Sequence, residues 1–309
     1  MATVTAAMVK ELREMTGAGM MDCKKALSNT DGDMDKAVEF LREKGLAAAA
    51  KKAGRIAAEG LVTALVENDK KGVIVEVNSE TDFVAKNADF QEYVGQVAAQ
   101  ALKTKAATME EFLAEPWELD PSKTVEQELS SKIAVIGEKL SIRRFEKLEN
   151  EAGCVVAYIH GGGRIGVLVE AETATVNDAV KEALKNVAMQ IAALRPQYVS
   201  RDEVSDDFIE KEKEILKVQA KNENPGKPDN IIDKMIMGRL NKELKEFCLL
   251  DQPYVKDGDL TVGKYLQQVS KEVGTPVTVK KFVRFETGEG MQKKEENFAE
   301  EVAKQIAGN

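Results

Sequence analysis

The glycine-rich stretch HGGGRIG, from His160 to Gly166, has the residue types of two known chemical sites. An H-G-G-G run contributes to the oxyanion hole of lipases, but that hydrolysis also needs a serine in a G-x-S-x-G turn and a base histidine. No G-x-S-x-G occurs, and His160 is the only histidine of the chain. The sequence therefore predicts no serine hydrolase.

The same glycines satisfy G-x-G-x-x-G, which binds dinucleotide phosphates when a helix follows it. Here the residues after Gly166 are VLVE, which are typical of a strand. We therefore predict a hairpin turn in which the glycines supply positive φ angles. His160 is then either a polar residue at a strand end or a surface contact at an exposed tip.

No other set of catalytic or metal-binding residues is evident. There is no G-x-x-x-x-G-K-[ST] phosphate loop, and Cys23, Cys154 and Cys248 are scattered, unlike paired zinc ligands. Such cysteines fit a reducing compartment, and the sequence has neither a secretion signal nor a membrane-spanning run. We expect a cytoplasmic protein that is not an enzyme, with no catalytic residue, metal or cofactor.

The charge of the chain bears on its partners. Its 309 residues include 44 Lys and Arg against 53 Asp and Glu, a formal net charge of −9. Binding to a phosphate backbone requires clustered basic residues. We therefore expect no direct nucleic-acid partner, and the remaining interpretation is a protein that binds other proteins through several contacts.

The first 45 residues read as three short helices. Met8, Leu12 and Met15 have the i, i+4, i+7 spacing of one helix face, and the third helix is predicted to end at Gly45. The Ala-rich, basic stretch from Leu46 to Gly60 reads as a linker with helical tendency. We predict a three-helix domain with its linker at residues 1–54.

The pattern changes to strands at Gly60, where LVTALVE and GVIVEVN flank the turn NDKKG. A similar unit starts at Gly153, and GVLVEAET at Gly166 resembles GVIVEVNSET at Gly72. The predicted class is α+β and multi-domain. Its core has two related subdomains with antiparallel sheets, at residues 55–150 and at residues 151–200 with 240–287.

Two helical segments complete the predicted organisation. Residues 201–239 hold charged helices around NENPGKP, which we interpret as a coiled-coil hairpin inserted in the second subdomain, with Phe208, Ile215 and Leu216 lining its first helix. We predict a C-terminal module at residues 288–309, with Phe298 and Val302 on one helix face.

The stretch VEVNSETDFVAKNADF joins a predicted strand to a predicted helix, and Phe83 lies at the junction. Two interpretations remain open, a lid on the core and an outward-pointing contact. Because most phenylalanines are buried, the pattern alone favours the lid.

Five motifs, in order and over nearly the whole chain, resemble the bacterial elongation factor Ts family, the exchange factors for the GTPase elongation factor Tu. They are VKELREMTGAGMMDCKKAL (Val9–Leu27), AAKKAGRIAAEG (Ala49–Gly60), EVNSETDFVAKNADF (Glu76–Phe90), HGGGRIGVLVE (His160–Glu170) and VRFETGEG (Val283–Gly290). The resemblance implies a translation elongation factor. It also implies an N-terminal domain similar to ubiquitin-associated domains, and, in some members, self-association through the coiled-coil hairpin, called the arm below.

The resemblance also implies a site. Thr81, Asp82, Phe83 and Val84 would enter the nucleotide domain of the GTPase and dislodge its Mg²⁺, which reverses the choice for Phe83. Asp82 would either bind the partner or hold the Phe83 turn. Further implied contacts are Leu12, Met20, His160, Gly161, Phe298 and Val302. The alternative function is a non-catalytic adaptor or chaperone-like scaffold.

Overall fold

The computed structural model describes residues 4–292, which form alternating helices and strands. This part contains two three-stranded and two two-stranded sheets, and three of their hairpins pair antiparallel. The predicted α+β class with antiparallel sheets is confirmed. Among the described helices, none is both long and apolar enough to cross a membrane. Phe298 and Val302 lie outside the described residues.

Three helices begin the chain, α1 (Ala6–Thr16), α2 (Met20–Asn29) and α3 (Met34–Lys52). Thr5 caps α1 by accepting a hydrogen bond from the N–H of Met8. Gly17 ends α1 at φ 67°, a left-handed conformation that costs glycine little. The hydrophobic core of this bundle consists of Val9, Leu12, Cys23, Ala26, Leu27 and Ala37.

The predicted end of the third helix at Gly45 is wrong, because α3 continues to Lys52. Gly45 is buried, and a Cβ atom there would lie 3.4 Å from the carbonyl oxygen of Ser130 on α7 (Val125–Ile136). That distance is an ordinary van der Waals contact, so Gly45 is an interior residue of α3 that faces α7 and does not end the helix. As a consequence, the predicted linker is shorter than expected and starts after Lys52.

The first three-stranded sheet has the strand order β1–β2–β5. Its strands are β1 (Glu59–Glu67), β2 (Lys71–Ser79) and β5 (Ser141–Glu149). Between β2 and β5 the chain forms α4 (Asp82–Ala85), α5 (Ala88–Lys103), α6 (Met109–Ala114), the hairpin of β3 (Pro116–Trp117) and β4 (Asp120–Thr124), and α7.

The second three-stranded sheet has the order β10–β7–β6. Its strands are β6 (Gly153–His160), β7 (Ile165–Glu172) and β10 (Thr278–Glu286). Between β7 and β10 the chain forms α8 (Asp178–Leu194), the arm, the hairpin of β8 (Pro253–Tyr254) and β9 (Asp257–Thr261), and α11 (Val262–Val273). The order of two strands, a helix, a short hairpin, a helix and a third strand occurs twice. In both sheets the third strand pairs with the second.

A buried glutamine holds the short hairpin in each repeat. Gln100 on α5 donates a hydrogen bond to the carbonyl oxygen of Pro116 at 3.1 Å and accepts one from the N–H of Glu118 at 2.8 Å. Gln190 on α8 makes the same two bonds to the β8–β9 hairpin, at 3.0 and 2.8 Å. An amide side chain is a donor and an acceptor at once, so it satisfies both backbone groups.

The arm consists of two helices, α9 (Asp206–Glu223) and α10 (Asp229–Phe247). Its apolar stripe is buried between the two helices, through Leu216, Ala220, Ile232, Ile236, Leu240 and Leu244. The predicted place of Ile215 in this stripe is wrong, since its side chain is 50% exposed. Adjacent helical residues point in different directions, so Leu216 takes the inner position.

The two ends of the arm meet. The N–H of Leu249 donates to the carbonyl oxygen of Tyr198 at 2.9 Å, and the N–H of Gln197 donates to that of Phe247 at 2.8 Å. These backbone bonds close the insertion at its base.

By contacts, the chain divides into two compact units. Within the described residues the first unit comprises 4–63, 75–145 and 286–292, and the second comprises 64–74 and 146–285. The five-part division predicted from the sequence stays a prediction.

We expect Gly60→Ala to destabilise the first unit. Gly60 has φ 125°, and an added Cβ would lie 2.2 Å from the carbonyl oxygen of Val77, so strain alone should cost about 1–3 kcal/mol. Urea unfolding followed by Trp117, the only tryptophan, would measure it. Gly95→Ala on α5, with no atom within 4 Å of the added Cβ, should stabilise by about 0.5–1 kcal/mol. Equal midpoints for the two variants would contradict this account.

Candidate partner-binding site

Phe83 lies on α4, the single helical turn that follows β2, and its side chain is 79% exposed. Within residues 4–292 it is the only Phe, Tyr or Trp in the exposed class. The core lid favoured by the pattern alone is therefore wrong. Neighbouring residues close the core instead, since Ala85 is 8% and Phe90 is 0% exposed.

Thr81 begins α4. Its backbone is extended, and its hydroxyl oxygen accepts a hydrogen bond from the N–H of Val84 at 3.4 Å, the usual arrangement of an N-cap. The hydroxyl of Ser79 donates to the carbonyl oxygen of Thr81 at 3.0 Å. The chain therefore turns out of β2 with both the hydroxyl and the carbonyl oxygen of Thr81 hydrogen-bonded.

Asp82 forms its contacts within the turn. Lys86 donates to the carboxylate of Asp82 at 2.6 Å, and the same ammonium lies 6.0 Å from the centre of the Phe83 ring. The hydrogen bond from Lys86 lowers the pKa of Asp82 below its ordinary value. The Asp82 side chain remains 54% exposed, so both roles left open for Asp82 stay predictions.

Glu138, just after α7, is bound to the same turn. Its Oε2 accepts hydrogen bonds from the N–H groups of Glu80 and Thr81 at 3.1 and 3.0 Å, and its Oε1 accepts one from the Thr81 hydroxyl at 2.7 Å. Glu80 in turn accepts a hydrogen bond from the N–H of Lys139 at 2.6 Å. The sequence did not predict this contact. Glu138 lies 57 positions after Thr81, and no local pattern distinguishes it from the other glutamates of the chain.

A second network missed by the sequence lies on β2, below the turn. Glu76 is 0% exposed, and its carboxylate accepts hydrogen bonds from Arg143 at 3.0 Å, from Arg144 at 2.6 Å and from the N–H of Gly288 at 2.7 Å. Asn78 donates a fourth bond at 3.0 Å. The motif around Gly288 is thereby tied to β2 and β5.

The pKa of Glu76 follows from this network. Burial would raise the pKa, but the hydrogen bonds from Gly288, Asn78 and Arg144, together with the charge of Arg144, outweigh burial and lower it below the ordinary value of 4.5. Glu76 is therefore a buried, ionised carboxylate whose lone pairs are satisfied, as a buried charge requires.

The other predicted contacts differ in accessibility. Leu12 is fully buried in the helical bundle, which contradicts its predicted role as a contact. Met20 is 60% exposed, beside Met21 at 73%. Met15 is 58% exposed, so it does not share the buried face of Leu12 as its spacing predicts, because α1 ends one residue later.

His160 and Gly161 belong to the tip of the β6–β7 hairpin. His160 pairs with Ile165, and Gly161, Gly162 and Gly163 all have positive φ, as the turn prediction requires. His160 is exposed, with its Nδ1 2.9 Å from the Tyr158 hydroxyl. His160 therefore lies both at a strand end and at an exposed tip, and its role as a surface contact stays a prediction.

The three cysteines are buried and unpaired, and burial raises the pKa of each thiol. In the described residues no group of three or more His, Cys, Asp or Glu side chains is placed to hold a metal ion. The feature that stands out is an exposed aromatic side chain on a firmly hydrogen-bonded turn. Fold and site together define an α+β protein that exposes one apolar aromatic side chain on a hydrogen-bonded turn.

The comparisons with known proteins identify the family. A family model described as Elongation factor TS matches residues 80–289. An elongation factor Ts of Clostridium perfringens is 59% identical over 302 residues, covering 97% of this chain and 98% of the relative. One from Clostridium kluyveri is 56% identical over 306 residues, covering 99% of each. The chain belongs to the elongation factor Ts family of translation elongation factors.

Proposed function

We propose that this chain binds elongation factor Tu in its GDP-bound form and promotes GDP release, by inserting the turn Thr81–Val84 near the nucleotide site and displacing Mg²⁺. The observation that supports this most directly is the 79% exposure of Phe83. Large aromatic side chains that fill a pocket of the partner dominate the energy of many interfaces. No covalent chemistry is involved.

Displacement of Mg²⁺ needs only a small movement of its ligands. In GTPases of this kind the ion bridges phosphate oxygens and a hydroxyl of the phosphate-binding loop. Mg²⁺ requires a nearly ideal octahedral geometry. A side chain that inserts between the elements that carry those ligands therefore weakens the binding of both Mg²⁺ and GDP.

The energy available to Phe83 is adequate for this task. Full burial of a phenylalanine side chain stabilises a complex by about 1.5–3 kcal/mol. Coupling between two ligands of one protein is reciprocal. If the factor lowers the affinity of the GTPase for GDP, GDP therefore lowers the affinity of the GTPase for the factor by the same ratio. The factor then leaves when fresh nucleotide binds.

The proposal also covers further contacts with the GTPase, the roles of the helical bundle and the arm, and the location of the protein. Met20, His160 and Gly161 are accessible for further contacts, and Phe298 with Val302 would add a C-terminal one. The helical bundle would serve as a ubiquitin-associated-like domain. The exposed Ile215 and Val218 of the arm are available for self-association. The proposed setting is the cytoplasm, with no membrane or direct nucleic-acid partner.

The test is release of fluorescent GDP from elongation factor Tu. Catalytic amounts of the chain should accelerate release, and in pull-downs the GTPase should be retained best without GDP and Mg²⁺. An adaptor or chaperone-like scaffold would retain it equally under all conditions. Release at the uncatalysed rate would exclude exchange as the function.

A further inference from the structure

The turn that carries Phe83 cannot hold its own position. α4 has four residues, whereas isolated helices shorter than about 12 residues are marginal in water. The salt bridge between Asp82 and Lys86 is exposed, with 54% and 74% of the two side chains accessible, and exposed pairs contribute little. The rigidity of the turn must come from outside it.

Glu138 is the residue that meets this need. Through its two oxygens it accepts three hydrogen bonds from Glu80 and Thr81. Because the Thr81 hydroxyl donates to Glu138, its oxygen is oriented to accept the N–H of Val84, and Glu138 thereby supports the cap of α4 as well. Hydrogen bonds to a charged acceptor are stronger and shorter than neutral ones.

The support is mutual. Glu80 accepts a hydrogen bond from the N–H of Lys139, and Arg55 donates to its carboxylate at 3.2 Å. Lys139 also donates to the carbonyl oxygens of Ala53 and Arg55, at 2.7 and 2.8 Å. The end of α7, the end of β2 and the chain after α3 are thus joined at the base of the Phe83 turn.

We infer that Glu138 is a positioning residue for nucleotide exchange, which fixes the Thr81–Val84 turn so that Phe83 is held ready to enter the partner. This rests on the proposed function. Preorganisation avoids the cost of ordering the turn on binding, so loss of Glu138 acts on exchange through Phe83.

Glu138→Ala should lower the maximal rate of GDP release by roughly tenfold, the effect of losing about one charged hydrogen bond. The maximal rate of Glu138→Gln should lie between those of the parent chain and Glu138→Ala. Its amide oxygen still accepts both backbone N–H groups, while its NH₂ group faces the Thr81 hydroxyl. Glu111→Ala is the matched control. Glu111 accepts the N–H groups of Ala107 and Thr108 at 2.7 and 3.2 Å near α6, and its loss should leave exchange unchanged.

Two readouts separate positioning from a general structural role. In a Phe83→Ala background, Glu138→Ala should slow release by less than about twofold more, since residues that act through one another are not additive. In the free protein, the backbone amides of Glu80 and Thr81 should exchange hydrogen faster in Glu138→Ala than in the parent chain.

Each outcome decides the inference. Parent-like exchange in Glu138→Ala, with Phe83→Ala slow, would overturn the role of Glu138 and leave the proposed function intact. Full additivity with Phe83→Ala would also overturn it. If Glu138→Ala fails to fold by Trp117 fluorescence, Glu138→Gln decides, and a folded Glu138→Gln at the parent rate overturns the inference. A parent chain without exchange activity removes both the proposed function and this inference.

Discussion

Phe83→Ala is expected to slow GDP release from elongation factor Tu by roughly ten- to a hundredfold. The variant removes the one exposed aromatic side chain of residues 4–292, whose burial in a partner is worth about 1.5–3 kcal/mol, and each 1.4 kcal/mol is about a factor of ten. The measurement is the maximal rate of fluorescent GDP release at saturating concentrations of the variant.

The same substitution should leave the fold intact. A side chain that is 79% exposed contributes little to folding, so the free energy of unfolding should change by less than about 0.5 kcal/mol. Leu119→Ala is the matched control, since Leu119 is 65% exposed and belongs to the same unit, between β3 and β4. Exchange by Phe83→Ala at the parent rate would exclude the wedge.

Glu76→Ala is expected to destabilise the first unit by about 3–5 kcal/mol, the usual cost of removing one partner from a buried ion pair. The loss leaves Arg143 and Arg144, which are 25% and 32% exposed, without their shared carboxylate. It also leaves the N–H of Gly288 without its acceptor. Urea unfolding followed by the buried Trp117, in the same unit, measures the change.

The stabilisation by Glu76 also depends on pH. Because the folded pKa lies below the ordinary value of 4.5, the unfolded chain takes up the proton first as pH falls. The contribution is complete above the unfolded value and is lost as pH falls through the folded value. The difference in unfolding free energy between the parent and Glu76→Gln should therefore be largest at neutral pH and shrink below pH 4.5.

Glu14→Ala provides the control for Glu76. Glu14 pairs with Lys10 at 3.6 Å on the surface of α1, where both side chains are more than two-thirds exposed, and such pairs contribute about 0–1 kcal/mol. A Glu76→Ala variant no less stable than Glu14→Ala would show that the buried network is energetically neutral.

Features that depend on local chemistry could be predicted from the sequence. The glycines after His160 had to form a turn, because a strand and not a helix follows them, and all three have positive φ. The repeated strand motif at Gly72 and Gly166 indicated two related units, and the two sheets have the same order, with the third strand paired to the second. Gly45 misled, because a glycine inside a helix has the same sequence signature as one that ends a helix.

The parts that could not be predicted depend on contacts between distant residues. Glu138 and Thr81 are 57 positions apart, and Glu76 and Gly288 are 212 apart. Among 53 acidic residues, nothing local distinguishes these two from solvated ones. The exposure of Phe83 followed from the family resemblance, while the pattern alone pointed inward, because burial is the commoner fate of phenylalanine.

The closed base of the arm has a consequence for which alterations the fold of the second unit can tolerate. Because Gln197 and Tyr198 are bonded to Phe247 and Leu249, the host fold receives the chain back at the point where it left. Its own residues supply the buried stripe of the arm. A segment with these two properties can be lengthened, shortened or exchanged for a tight turn at a cost that grows only slowly with loop length. The arm is thus a self-contained insertion, and a tight turn in its place should leave the sheet of the second unit folded.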